Sequence, residues 1–247
     1  MKKIFAIAAM AAMLMACGGN EDDQNKPGNK PGPGDEPIEE VTPDITIDGN
    51  FDDWNIEGVA EVVLGTEGTY ADVDLKKIKL YADALSINIY AEFDPTVAAV
   101  LGCHMDIDGD ETTGRSVPWK GIELYFEGDI YNWSVENDTK VEQLEGVAWN
   151  PGVFEFTGED GTDVWSWGSL LEGGLANGSV PASIGDGLAA IEVQIMREMI
   201  PVALGDAVGV GIMLTNNMWD QCGVLPQVSM EQEEAGETSA VLSVTLP

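Results

Sequence analysis

The feature that most constrains this chain is a period-two alternation of apolar and polar residues that recurs from Lys77 to Leu246, with no sustained helical period. Ile78, Leu80 and Ala82 alternate with Lys77, Lys79 and Tyr81. After an Asp83-Ala84-Leu85 break, Ile87, Ile89, Ala91 and Phe93 alternate with Asn88, Tyr90 and Glu92. Successive strand side chains point to opposite faces, so this segment predicts a hairpin with one face in the core and one in water. A second hairpin is expected from Gly121 to Ser134 around a Gly128-Asp129 turn. A tight loop there would set Phe126 opposite Tyr131 and Leu124 opposite Trp133, with all four on the core face beside Ile122. Further strands are expected at Val153 to Phe156, Ala189 to Met196, Val208 to Leu214 and Ala240 to Leu246, with a short turn around Pro201. Short strands broken by Gly, Asp and Asn turns predict an all-β fold, an antiparallel β-sandwich of jelly-roll or immunoglobulin-like type, with a closed barrel as the alternative.

The start of the chain is of a different kind. Met1-Lys2-Lys3 precedes an apolar run from Ile4 to Met15, about half the length that spans a bilayer, which reads as a signal peptide over residues 1–16. The run closes in Leu14-Met15-Ala16-Cys17, a pattern that resembles the lipobox of bacterial lipoproteins. The resemblance implies lipidation of Cys17, and two or more acyl chains, at about 0.8 kcal/mol per buried CH₂, anchor a protein stably. Gly18 stands where an aspartate would resemble an inner-membrane retention signal, and Glu21-Asp22-Asp23 resembles the acidic export tract of Bacteroidetes surface lipoproteins. The expected location is therefore the outer membrane, lipid-anchored, at the cell surface or the periplasmic face. Residues 17–43, rich in Pro, Gly and charge, read as a flexible tether, and 44–247 as one domain with a substantial core.

A net charge of −33, spread along the whole chain, makes nucleic acid and anionic head groups poor partners. Most of the carboxylates read as a solvated acidic surface, with a few available for cations. With Cys17 lipidated, Cys103 and Cys222 remain as candidates for a disulfide, and spacing alone leaves their pairing open. A single histidine, His104, gives a His-based triad or multi-histidine centre little to draw on.

Two local patterns occur in order. The domain opens with Ile47-Asp48-Gly49-Asn50-Phe51-Asp52-Asp53-Trp54, and later a strand ends in Asp106-Ile107-Asp108-Gly109-Asp110-Glu111-Thr112-Thr113-Gly114. An I-D-G-x-x-D-D-W opening followed by D-x-D-x-D-x-x-T-G resembles carbohydrate-binding module family 9-like domains, a sandwich related to DOMON domains. Strands like Gly121 to Glu127, Ala190 to Ile195 and Val208 to Leu214 follow in the family's order. The resemblance covers nearly all of Asp44 to Pro247 and implies a glycan-binding sandwich.

Read on their own terms, these motifs say something narrower. Gly49 permits a tight turn, and Trp54 is bulky enough to plug one end of the sandwich. Asp106, Asp108 and Asp110 place carboxylates at one strand end, where calcium is the candidate cofactor and turn-capping the alternative. The loop is not an EF-hand, because Glu111 and Val117 stand where that loop needs glycine and a bidentate glutamate.

Seven tryptophans supply the remaining chemistry. Trp54 and Trp133 read as core. Trp165 and Trp167, two apart, share one face of an extended segment, and Trp149 and Trp219 lie in loop-like contexts. Indoles beside amides and carboxylates suit a sugar, whose apolar face stacks while its hydroxyls hydrogen-bond. Trp149, Trp165, Trp167, Asn216, Asn217, Trp219 and Asp220 are thus the expected ligand-binding residues, with Gln221 nearby; packing beneath a loop is the alternative for each indole. The resemblance supports this at the level of residue type only.

Together these readings predict a non-catalytic, glycan-binding lipoprotein whose partners are an oligo- or polysaccharide, the bilayer and a surface uptake complex. The rivals are a structural subunit of a surface assembly without sugar binding, a carboxylate-dependent glycoside-active enzyme, and a DOMON-like haem protein using His104.

Overall fold

Alternation along the strands decides which side chains meet in the middle. The computed structural model describes residues 42–247, apart from 137–139, 172–174 and 201. The signal-peptide and lipidation readings, and the tether up to residue 41, lie outside the described residues. None of the described helices is long and apolar enough to cross a membrane.

The first sheet is six-stranded. It orders β1 (Ala60–Val63), β2 (Leu75–Ala82), β3 (Ser86–Phe93), β12 (Leu188–Met196) and β10 (Ala176–Gly178), with β11 (Ala182–Gly185) also on β12. The second is seven-stranded. It orders β14 (Gln221–Leu225), β13 (Ala207–Thr215), β4 (Val100–Asp106), β5 (Leu124–Asp129), β8 (Gly152–Phe156) and β9 (Trp167–Leu171), with β15 (Leu242–Thr245) also on β13. Every ladder is antiparallel. Ile78, Leu80, Ile87, Ile89, Ala91 and Phe93 from the first sheet meet Leu101, Cys103, Met105, Leu124, Phe126, Val210 and Ile212 from the second in one buried cluster. The fold is thus the all-β antiparallel sandwich expected from the alternation.

The structure corrects two expectations. Leu124 and Phe126 do not face Trp133 and Tyr131, because both edges of β5 are already filled, by β4 and β8. The chain turns out of the sheet at the buried Ile130, and β6 (Tyr131–Glu136) pairs instead with β7 (Lys140–Gly146) as a separate two-stranded ribbon. Trp133 is consequently 39% exposed and is not a core residue. The outer face of β3 is not wet either, since residues 45–56 lie across it and bury Tyr90 against Phe51 and Trp54.

That segment is the I-D-G-x-x-D-D-W motif, and Glu192 of β12 explains it. The fully buried carboxylate accepts hydrogen bonds from the Asp48 and Gly49 amides, at 2.7 and 2.5 Å, and from Trp54 Nε1 at 3.3 Å. Gly49 sits at φ 79°, a conformation glycine adopts without steric cost. Trp54 is 2% exposed, as expected for a core plug.

Candidate functional site

The seven-stranded sheet carries a run of aromatic side chains on its outer face. Leu124 and Phe126 point inward, so Tyr125 and Glu127 point out; His104 on β4 and Phe154 on β8 flank Tyr125 in register. Two strand glycines make the floor flat. A Cβ at Gly102 would lie 2.9 Å from the Tyr125 ring, and one at Gly211 would lie 2.3 Å from the Trp119 ring, so each glycine lets an indole or phenol lie against the sheet. His104 stacks on Tyr125 with centroids 4.4 Å apart and rings 25° from parallel.

Trp165, just before β9, and Trp167, its first residue, close one side. Their rings are 5.7 Å apart, and each lies within 5.6 Å of Tyr125. The Arg115 guanidinium sits 4.9 Å from the Trp165 ring, a cation–π contact that steadies an indole otherwise 58% exposed. Trp219 forms the opposite side from the β13–β14 turn. Its φ of 67° is costly for a bulky residue, on the order of 1–3 kcal/mol, and the turn enforces it. Asn216 accepts the Met218 and Asp220 amides on Oδ1, at 2.8 and 3.0 Å, while backbone bonds join Asn216 to Trp219 and Asp220. Trp219 remains 59% exposed. Between these rings is an open pocket of about 380 Å³ lined by Tyr125, Glu127, Phe154, Trp165, Trp167 and Trp219.

The polar groups of this pocket are few. The Tyr125 hydroxyl donates a hydrogen bond to Glu127, which holds the carboxylate at the pocket wall; burial is the main cause that pushes the phenol well above its ordinary range. Burial, helped by Arg115, depresses His104 to about 3, so the ring is neutral, and both its nitrogens are buried without a hydrogen-bond partner. Trp167 Nε1 and Arg115 Nε are likewise buried and unpartnered.

Of the expected binding residues, Trp165, Trp167 and Trp219 come together here. Asn216 and Asp220 are engaged with each other, Nδ2 to Oδ2 at 3.2 Å, and shape the turn. Asn217 lines a separate pocket beside Trp133. Trp149 is a correction: it is 1% exposed, donates from Nε1 to the Leu101 carbonyl at 3.1 Å and belongs to the core. The loop that carries it is tied to β10 by the Gly178 amide, which donates to the Trp149 carbonyl at 2.8 Å, and the indole lies against Gly128 of β5. Sequence reasoning missed Tyr125, Glu127 and Phe154; the signal was the outward phase of β5 and β8.

The acidic cluster is also regrouped. Carboxylate oxygens of Asp106, Asp108 and Glu123 lie within 4.8 Å of one another and could hold a hard cation such as calcium. Asp110 is a correction: its Oδ1 accepts the Thr112 amide and hydroxyl at 2.9 and 2.6 Å, which caps the turn, and it is not in the cluster. Glu123 accepts from Thr113 Oγ1 at 2.6 Å and the Ile107 amide at 3.0 Å, yet burial outweighs both and pushes it up to about 7. Asp106, which accepts from the Gly109 amide at 2.7 Å, is raised by burial too. Cys103 and Cys222 are unpaired, which answers the question their spacing left open. β13 lies between their strands, so two strand spacings of about 4.8 Å exceed the reach of a disulfide. Burial pushes both thiols up.

No family model and no curated protein matches the chain. Among solved structures, a family 9 carbohydrate-binding module from Caldicellulosiruptor kristjanssonii, in complex with cellotriose, is similar. The identity is 13%, the match covers 73% of this chain and 77% of that one, and the TM-score is 0.32.

Proposed function

We propose that this protein is a glycan-binding lipoprotein that acts without catalysis, held at the outer membrane by acyl chains on Cys17 and serving a surface uptake system. The observation that carries the reading is the aromatic pocket on the outer sheet, where Trp165 and Trp219 stand 58% and 59% exposed on opposite sides of a pocket walled by Glu127. Large indoles held in water by a strained turn and a cation–π contact contribute little to packing, while a pyranose can lie between them and share its hydroxyls with the carboxylate. The same reading keeps calcium as a structural ion at Asp106, Asp108 and Glu123.

The test is a titration of the protein with a broad glycan panel, followed by tryptophan fluorescence. Trp165→Ala and Trp219→Ala should each weaken binding by about 1 to 3 kcal/mol, by analogy with bases stacked on aromatic side chains, and leave the melting temperature nearly unchanged. A panel that gives no response overturns the reading in favour of an interaction subunit. For the anchor, Cys17→Ala should move the protein from the detergent phase to the aqueous phase, and continued membrane retention would refute it.

A further inference from the structure

The Asn216–Asp220 turn has two sides. Trp219 borders the aromatic pocket, while Asn216 and Asn217 border a second pocket of about 170 Å³ that also includes Trp133, Gln143 and Thr96. We propose that the ligand is a neutral oligosaccharide that crosses this turn and sets a further sugar against Trp133, an inference that rests on the glycan-binding reading above.

Trp133 is the first support. It lies on the β6–β7 ribbon, which pairs with neither sheet, and remains 39% exposed although nothing in the strand alternation requires a large ring there. Its cross-strand neighbour Gln143 is the second. The Gln143 amide donates from Nε2 to the carbonyls of Pro95 and Ala98, at 2.9 and 2.5 Å, so its carboxamide plane is fixed before any ligand arrives. An indole edge beside preset amides is the combination that lets a sugar ring stack while its hydroxyls find partners.

Spacing and charge define the ligand. Glu127 pairs with Gly102 on β4, and the second pocket begins at Ala99, about 10 Å further along at about 3.4 Å per residue. One sugar ring does not cover that distance, and a short chain does. Among the described residues, Glu127 is the one charged group lining either pocket, and the protein as a whole carries −33. Arg115, 9% exposed and set against the Trp165 ring, lines neither pocket, so an anionic glycan would meet like charge with no lining cation to offset it, whereas hydroxyls of a neutral chain can donate to Glu127.

The experiment uses the full chain and glucose with the cello-oligosaccharides up to the hexasaccharide, the xylo- and manno-series, and oligogalacturonates, with binding read by calorimetry. Affinity for one neutral series should climb by about tenfold or more once the chain is long enough to reach both pockets. Trp133→Ala should remove that gain and leave the affinity for the shortest binding sugar as in the wild type, while Trp219→Ala weakens every length. Asn217→Ala, a smaller change in the same pocket, should lose part of the gain and stands in if Trp133→Ala unfolds. Affinity that is flat with length, or long-chain binding unchanged in both pocket variants, overturns the second sugar position and leaves the aromatic pocket intact. Oligogalacturonates that bind as tightly as the neutral chains overturn the neutral class. If nothing binds the wild type, the glycan reading falls and this inference falls with it.

Discussion

Removing the Glu192 carboxylate should undock the segment that opens the domain. The side chain is fully buried and gathers the Asp48 amide, the Gly49 amide and the Trp54 indole on its two oxygens. Glu192→Ala would leave the buried Trp54 indole without an acceptor, at about 1–3 kcal/mol, and would strip the part-buried Asp48 and Gly49 amides of theirs at a smaller cost, since water reaches them more readily. The penalty cannot all appear as lost global stability, because residues 45–56 pack in their own cluster and can lift away from β3 and β12 to reach water. The expected outcome is a loss of about 2 to 4 kcal/mol by urea denaturation. It should come with fast amide exchange confined to 45–56 and to the β3 face beneath it. Glu192→Gln keeps one oxygen for the two amides but turns an NH₂ toward the Trp54 donor, so it should cost about 1 to 2 kcal/mol. Trp54→Phe removes the same indole bond, and in a double-mutant cycle the two changes should therefore be less than additive. If Glu192→Ala melts within about 0.5 kcal/mol of wild type with no change in exchange, the carboxylate is not the anchor.

Three further outcomes follow from the geometry. Glu123, raised from 4.5 to about 7 by burial, keeps its proton in the folded state where the unfolded chain has released it, so in chelator stability should fall as pH rises from 4.5 to 7 and then level off. Glu123→Gln should flatten that slope, and calcium, which competes with the proton, should stabilise the fold more at pH 8 than at pH 5, by about 2.7 kcal/mol at a hundredfold excess over Kd; equal melting with and without calcium would show the cluster to be a turn. Trp149→Ala should cost about 3–5 kcal/mol by chemical denaturation, against about 0.5 or less for Trp165→Ala. Gly102→Ala should push Tyr125 off the sheet and weaken glycan binding with a stability loss of about 1–3 kcal/mol, measured by the same titration and by melting; unchanged binding would remove Tyr125 from the floor.

The inward phase of β2, β3 and β5 was legible, as were the spans of β12 and β13, because period-two alternation is a local property of the chain. What pairs with what was not. The tight Gly128-Asp129 turn suggested a β5–β6 hairpin, yet the long excursion from Ile107 to Glu123 brings β5 back alongside β4, and β8 claims its other edge. The same non-local fact exposed Trp133. Trp149 misled for a related reason: a loop sequence says nothing about whether the loop runs over solvent or over a core. The carboxylate cluster showed the limit of spacing arguments, since Glu123 enters it from a different segment while Asp110, adjacent in pattern, turns to Thr112. The pocket-forming tryptophans at 165, 167 and 219 were readable by residue type, and their floor of Tyr125 and Phe154 required strand phase as well.

The flat aromatic floor has a consequence for how this scaffold could change over time or in the laboratory. Side chains at 154, 165 and 219 stand on the outward phase or on adjoining turns, while the main core hangs from the inward phase of the same strands. Substitutions on the two phases are separated by the thickness of the sheet and share few partners, so their effects on folding should be close to additive. Selectivity could then be rewritten by randomising those three positions in a display library without first stabilising the parent. Tyr125 and Gly102 would have to be held fixed, because there the outer surface reaches down to the backbone itself.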